Sequence, residues 1–176
     1  MHEERGAFHD HFRREVLASS RDRAWAGVTV DLLRVPGEVA GVIPSCENHT
    51  VSVLTNGFCE AAATLGGTDV RGKLTSGSIA VVPAGITSTF EGDSENEVAL
   101  ISVSPHFLIE AAVAVGAEHT IRGDIPIAFN ARDEFIETTC KLLLLELDKP
   151  KHPLQRLIYD TTSRWRCSGR LTGRHA

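Results

Sequence analysis

A basic surplus is missing from this chain: 18 Lys and Arg stand against 23 Asp and Glu, for a net charge of −5 over 176 residues. Nucleic-acid binders draw most of their affinity from phosphate neutralisation, so direct sequence-specific DNA binding by this chain alone is not expected. A run of ~18 apolar residues is also missing, which argues against a membrane span. The N-terminus, MHEERGAFHDHFRREV, is charged and lacks the apolar stretch of a secretory signal. The four cysteines, Cys46, Cys59, Cys140 and Cys167, form no C-x-x-C pair. A zinc site or disulfide framework is therefore not expected; the spacing suits reduced thiols in a cytoplasmic protein. Neither a glycine-rich phosphate loop nor a Ser-His-acid arrangement is visible, so no residue is assigned a catalytic role.

What is present is ordinary globular material, 42% hydrophobic and 23% charged, enough for one buried core. Residues 1–24 are polar with scattered aromatics and read as an arm or short helix. His2, His9 and His11 lie here and are read as solvated. Residues 25–130 carry short β-rich runs divided by turn residues, the pattern of a sandwich or barrel. Val28–Val35 is a strand stopped by Pro36-Gly37. His49–Thr55 alternates Val51 and Val53 with Thr50 and Ser52. Asn56-Gly57 predicts a type I′ hairpin, with Phe58–Leu65 as the returning strand and Gly66-Gly67 as the next turn. Ser78–Val82 follows Gly77 and ends at Pro83-Ala84-Gly85, with Ile79, Val81 and Val82 expected to fill the barrel. Thr87–Glu91 and Glu97–Val103 are further strands. A helix is predicted over His106–Val115, stopped by Gly116. Ile125–Phe129 is a last strand, placed at an edge by Pro126.

Residues 131–160 read as helices. Asn130 is the expected cap, with Asp133 three residues on. At 100° per residue, Phe135, Ile136, Thr139, Cys140, Leu142, Leu143, Leu144 and Leu147 share one broad face, and Leu145 falls opposite. A second helical period opens at Leu154, Leu157 and Ile158. Residues 161–176 break the pattern abruptly: four arginines, no acid and almost no apolar period. One permitted set of codons for 160–170 encodes a good helix continuation in another frame, so a frameshift or premature ending is expected; a natural basic tail is the alternative.

Taken together, Trp25, Pro36-Gly37-Glu38, His49 opening a strand, Gly72-Lys73-Leu74, the Gly77-x5-Pro83-Ala84-Gly85 unit, Pro105 and the leucine-rich helix resemble the N-terminal ligand-binding domain of the AraC family of transcription regulators. The resemblance spans about three quarters of the chain. It implies a mainly β, cupin-like jelly-roll barrel followed by C-terminal α-helices. It also implies a small-molecule effector with no other cofactor, and a homodimer or a heterodimer with a full-length paralogue. The expected ligand region is His49, Thr55, Ser88 and Phe90; the expected dimerisation residues are Ile136, Cys140, Leu143, Leu145 and Leu147. The helix-turn-helix half is not expected here. Metal cupins carry a His-x-His in the first motif and a histidine three residues after Pro-x-Gly. Those positions hold His49 with Val51, and Ser88, so no metal is expected. Two other readings stay open: an interaction protein that binds and inhibits a paralogue through the helix, and a cupin enzyme.

Overall fold

Alternation at period two sets the strands of this protein, and two-sided burial sets their walls. The computed structural model describes residues 14–23, 25–117 and 125–149. The strands are β1 (Glu15–Ser19), β2 (Val28–Val35), β3 (Val39–Ile43), β4 (His49–Leu65), β5 (Thr68–Thr75), β6 (Ile79–Val82), β7 (Ser88–Gly92), β8 (Asn96–Val103) and β9 (Ala128–Ala131). The helices are α1 (Pro105–Ala114) and α2 (Glu134–Asp148). One wall runs β1-β2-β8-β4-β6-β9. The other is built from β3, β7, the second half of β4, and β5. All pairings are antiparallel.

β4 departs from the sequence expectation. Asn56-Gly57 does not turn the chain back; the strand runs on for 17 residues. A type I′ turn needs positive φ at both central residues, and of this pair only Gly57 has it, at 88°. The register shifts between Leu54 and Asn56 as a β-bulge. A bulge bends a strand and raises its twist, and here it carries β4 from one wall to the other. His49–Gly57 pairs with β8, whereas Phe58–Leu65 pairs with β5 and β7. A Cβ at Gly57 would lie 3.1 Å from the Glu95 carbonyl oxygen, so the crossing is tight as well as left-handed.

The first wall is covered on its outer face by α2. Val30, Val53, Ile79, Ala99 and Ile101 form one buried cluster with Cys140 and Leu147 of the helix. Val51 and Val81 pack against that cluster too, so Val81 lies under the helix and not in the barrel as expected. Cys140 is 1% exposed, and burial pushes its thiol pKa up to about 11.

Three further local expectations are corrected. Residues 15–19, read as arm or helix, are an edge strand whose Glu15 opposes Arg34. The last strand is Ala128–Ala131, downstream of Pro126, which lacks the N–H a ladder requires. The cap of α2 is Asp133, whose carboxylate accepts the Ile136 N–H at 2.9 Å. Asn130 instead sits in β9 with φ 55°. Its side chain accepts from the Ser78 hydroxyl at 2.8 Å and donates to the Lys73 carbonyl at 3.2 Å. On α2, Phe135 and Leu142 do not join the buried face; they are 80% and 62% exposed. The buried arc centres on Cys140 and Leu147, and Leu142 lies about 140° round from Leu147 but only about 60° from Leu145. The second helical period from Leu154, the arginine-rich stretch and the N-terminal histidines lie outside the described residues.

One tie joins the two ends of the described chain. Arg23, 8% exposed, donates from its guanidinium to the carbonyls of Glu146 (2.9 Å), Leu147 and Lys149 (2.8 Å) at the end of α2. The preceding strand is pinned beside it. Ser20 accepts the Val30 N–H on its hydroxyl, and the buried Asp31 accepts from Ser19 and Arg21.

Candidate functional site, a cavity between the two walls

Strand alternation puts every second residue of the first wall on the inner face. That face carries Thr50, Ser52 and Leu54 of β4, Leu33 and Val35 of β2, and Asn96 and Val98 of β8. From the second wall come Cys59, Ala63, Leu65, Leu74 and Phe90. Between them lies a cavity of about 110 Å³. Apolar side chains dominate its lining, with polar groups set into it. Thr50, Ser78, Ser88 and Asn96 are all buried.

The polar alternation of β4 therefore runs inward. Thr50 and Ser52 face the cavity, whereas Val51 and Val53 face α2. A strand buried on both faces has no solvent side, so the usual polar-out reading fails there. The hydroxyls of Ser52 and Ser88 make no hydrogen bond among the described residues. Thr89 accepts the Thr64 N–H at 3.1 Å. Asn96 donates to the Ser94 carbonyl at 2.8 Å.

One charged side chain reaches the cavity among the described residues: Arg14, just before β1. Desolvation in this surrounding lowers its guanidinium pKa to about 10. Antiparallel pairing of Glu15 with Arg34 sets Arg14 level with Val35, which itself opposes Asn96. Nothing in the polar N-terminal sequence signals this placement; it follows from β1 being a strand.

The four residues named from sequence fall in three places. Ser88 and Phe90 line the cavity. His49 is the first residue of β4, where its Nδ1 accepts the Ala84 N–H at 3.0 Å. It thereby ties the strand to the Pro83-Ala84-Gly85 corner, and burial lowers its pKa. Thr55 donates to the Glu97 carbonyl at 3.0 Å, at the bulge. Of the helix residues, Cys140 and Leu147 are buried against the barrel, Ile136 and Leu143 pack on the same cluster, and Leu145 is 60% exposed.

Some barrels of this shape hold a metal ion. The lining includes no histidine, aspartate or glutamate among the described residues, and Cys59 is its one soft ligand. No group of three His, Cys, Asp or Glu able to hold a metal occurs among those residues. The donor set does not fit a metal centre, which needs at least three such ligands.

No protein-family model matches the chain, and no curated protein matches its sequence. Solved structures similar to it include cupin-domain proteins. The cupin domain of Cnp3 from Schizosaccharomyces pombe is 14% identical with a TM-score of 0.39, over 50% of this chain and 64% of that one. A cupin superfamily protein from Desulfitobacterium hafniense is 16% identical with a TM-score of 0.40, over 52% and 75%. Salicylate 1,2-dioxygenase from Pseudoaminobacter salicylatoxidans is 16% identical with a TM-score of 0.38, over 49% and 22%. The match thus spans less than two thirds of the Cnp3 cupin domain. These likenesses concern fold alone. The protein is a mainly β, cupin-like jelly-roll barrel with a C-terminal helix, as its shared strand and two walls define it. No helix among the described residues is long and apolar enough to cross a membrane.

Proposed function

We propose that this chain is the effector-binding and dimerisation module of an AraC-like transcription regulator, working in the cytoplasm and binding a small organic molecule in the cavity. One observation carries the reading. The strands that line the cavity with Thr50, Ser52 and Leu54 are the same strands that seat α2 with Val51 and Val53. A ligand that repositions the inner face acts directly on the helix platform. Regulation requires such differential contact between two states. Among the described residues the lining offers hydroxyl and amide groups set in an apolar wall, which suits the binding of a small organic molecule.

The exposed stripe of Phe135, Leu142 and Leu145 supports dimerisation, and equally a second reading in which the chain pairs with a full-length paralogue and inhibits it. Leu145→Glu separates helix pairing from ligand binding. Light scattering should show the dimer lost, with ligand affinity kept; an unchanged oligomer removes this face from the interface. Thermal-shift screening of small organic molecules tests the sensor itself. A ligand present at ~100 times its Kd adds about 2.7 kcal/mol, or about 5–11 °C for a domain of this size. A library of small acids, amides, alcohols and sugars that moves the melting point nowhere would refute the ligand-binding reading.

A further inference from the structure

We infer that the ligand of the cavity is a small uncharged alcohol or phenol, its hydroxyl on Ser88 and Ser52 and its apolar body among Leu33, Leu54, Leu74 and Val98. This rests on the reading of the cavity as a ligand site and names the chemistry that site selects. Most polar side chains of the lining are already engaged. Ser78 donates to Asn130, Thr89 accepts the Thr64 N–H, Asn96 donates to the Ser94 carbonyl, and Thr50 shares a hydrogen bond with the Cys46 thiol at 3.8 Å. Ser52 and Ser88 differ: both line the cavity, and neither hydroxyl has a hydrogen-bond partner among the described residues. Ser88 is only 3% exposed. A hydroxyl taken from water without a partner is costly, and one turned into a cavity marks the place of a ligand atom. The two serines come from opposite walls: Ser52 pairs with Ala80 and Leu100 in the first, Ser88 with Ile43 and Leu65 in the second. A ligand hydroxyl both donates and accepts, as serine does, so it matches either one whichever way the hydrogens turn. A polyol would leave most of its hydroxyls against apolar side chains, and a bare hydrocarbon would leave both serines dry and unpaired. A charged ligand would give up its hydration to a mostly apolar wall, and Arg14, the charged side chain that reaches the cavity, already has an interaction of its own. Size narrows the class further. The volume is about 110 Å³, against ~150 Å³ for a dry cavity that takes up benzene. The body is thus a short chain or one small ring.

The test uses the full chain and a protein-observed NMR titration with cyclopentanol and phenol, each beside its parent hydrocarbon, cyclopentane or benzene. Glycerol and benzoate serve as a polyol and an anion of similar size. At least one hydroxyl compound should bind about five-fold or more tighter than its hydrocarbon, the share of one ordinary hydrogen bond. Glycerol and benzoate should bind more weakly than either. Ser52→Ala with Ser88→Ala should bring the affinities of the hydroxyl compound and its hydrocarbon together. The melting point should hold in that double variant, because each substitution removes a hydroxyl without a protein partner. Leu54→Trp, which fills the cavity, should abolish binding of both. Equal affinity for hydroxyl compound and hydrocarbon, or an unchanged preference in the double serine variant, overturns the alcohol assignment and leaves the cavity reading standing. Benzoate or glycerol binding more tightly than the alcohols overturns it in the same way. Alcohol binding that survives Leu54→Trp places the alcohol elsewhere and overturns it too. If no alcohol or phenol binds, while another class from the thermal-shift library does, the alcohol assignment alone falls. If no class binds, both fall.

Discussion

Replacing Arg23 by alanine should uncap α2 from across the fold. The last turn of that helix has no basic residue of its own, and its final carbonyls are held by Arg23 from the turn after β1. A hydrogen bond from a charged donor contributes about 1.5–3 kcal/mol, and a cation at a helix C-terminus about 0.3–1 kcal/mol, up to ~2 when partly buried. The three bonds share one guanidinium, so they do not add. Lys149 is exposed, so water can reach part of the gap. The net loss comes to about 3 kcal/mol, or about 6–12 °C in Tm. Arg23→Met separates causes, because it keeps the apolar stem and removes the donors; it should recover less than half of the loss. Arg23→Lys keeps charge without the fork and should sit between. Urea unfolding measures the free energies, and amide hydrogen exchange locates them, with faster exchange in the last turn of α2 than in β8. A cost below about 1 kcal/mol for Arg23→Ala, or wild-type stability in Arg23→Met, would refute the capping argument.

Three other outcomes follow from the same geometry. The Nδ1 of His49 accepts a backbone N–H, and its pKa is lowered by burial, so the folded chain prefers the neutral ring. Stability should therefore fall as pH drops from about 7.5 through the unfolded value of ~6.5 and level off below the folded value. His49→Asn, which can accept without titrating, should flatten that slope; a melting curve with the same pH dependence in both proteins contradicts this. Gly77 has φ 85°, and an added Cβ would lie 2.3 Å from Arg132 Nη1. Gly77→Ala should cost about 1–2 kcal/mol from the left-handed backbone, read as a lowered urea midpoint. Iodoacetamide on the native protein at pH 8 should label the exposed Cys46 and spare Cys59 and Cys140, as peptide mass mapping can check; rapid labelling of Cys140 would mean that α2 opens readily.

The barrel was legible where local pattern and tertiary demand agree. Val28–Val35 reads as a strand from its β-branched residues and its Pro-Gly stop, and it is one. The Pro83-Ala84-Gly85 corner is likewise a local signal with a local cause. The misread positions are those where the fold overrides the neighbourhood. Asn56-Gly57 has hairpin chemistry, but pairing with β8 on one side and β5 on the other carries the strand through it, with the register shift falling just before, between Leu54 and Asn56. Thr50 and Ser52 look like a solvent face until α2 is known to cover their apolar neighbours. Phe135 and Leu142 follow helical period, yet the seat on the barrel is narrower than the apolar stripe, and they fall outside it. Arg14 carried no sequence signal, since only the pairing of Glu15 with Arg34 brings it to the cavity. Ser88 and Phe90 were reachable because they follow a recognisable corner by a fixed number of strand residues.

β4 has a consequence for how the chain reaches this structure. A one-residue slip in a strand exchanges its two faces. In most sandwiches such an error is confined to one sheet and can be corrected there. Here His49–Gly57 and Phe58–Leu65 are one continuous strand. A slip along its whole length would turn Val51 and Val53 into the cavity and also flip the inward set of the second wall. The extra residue at the Leu54–Asn56 bulge is the sole slack between the halves. The strand therefore works as a ruler laid across both walls: beyond that one residue, a register error in one half is carried into the other.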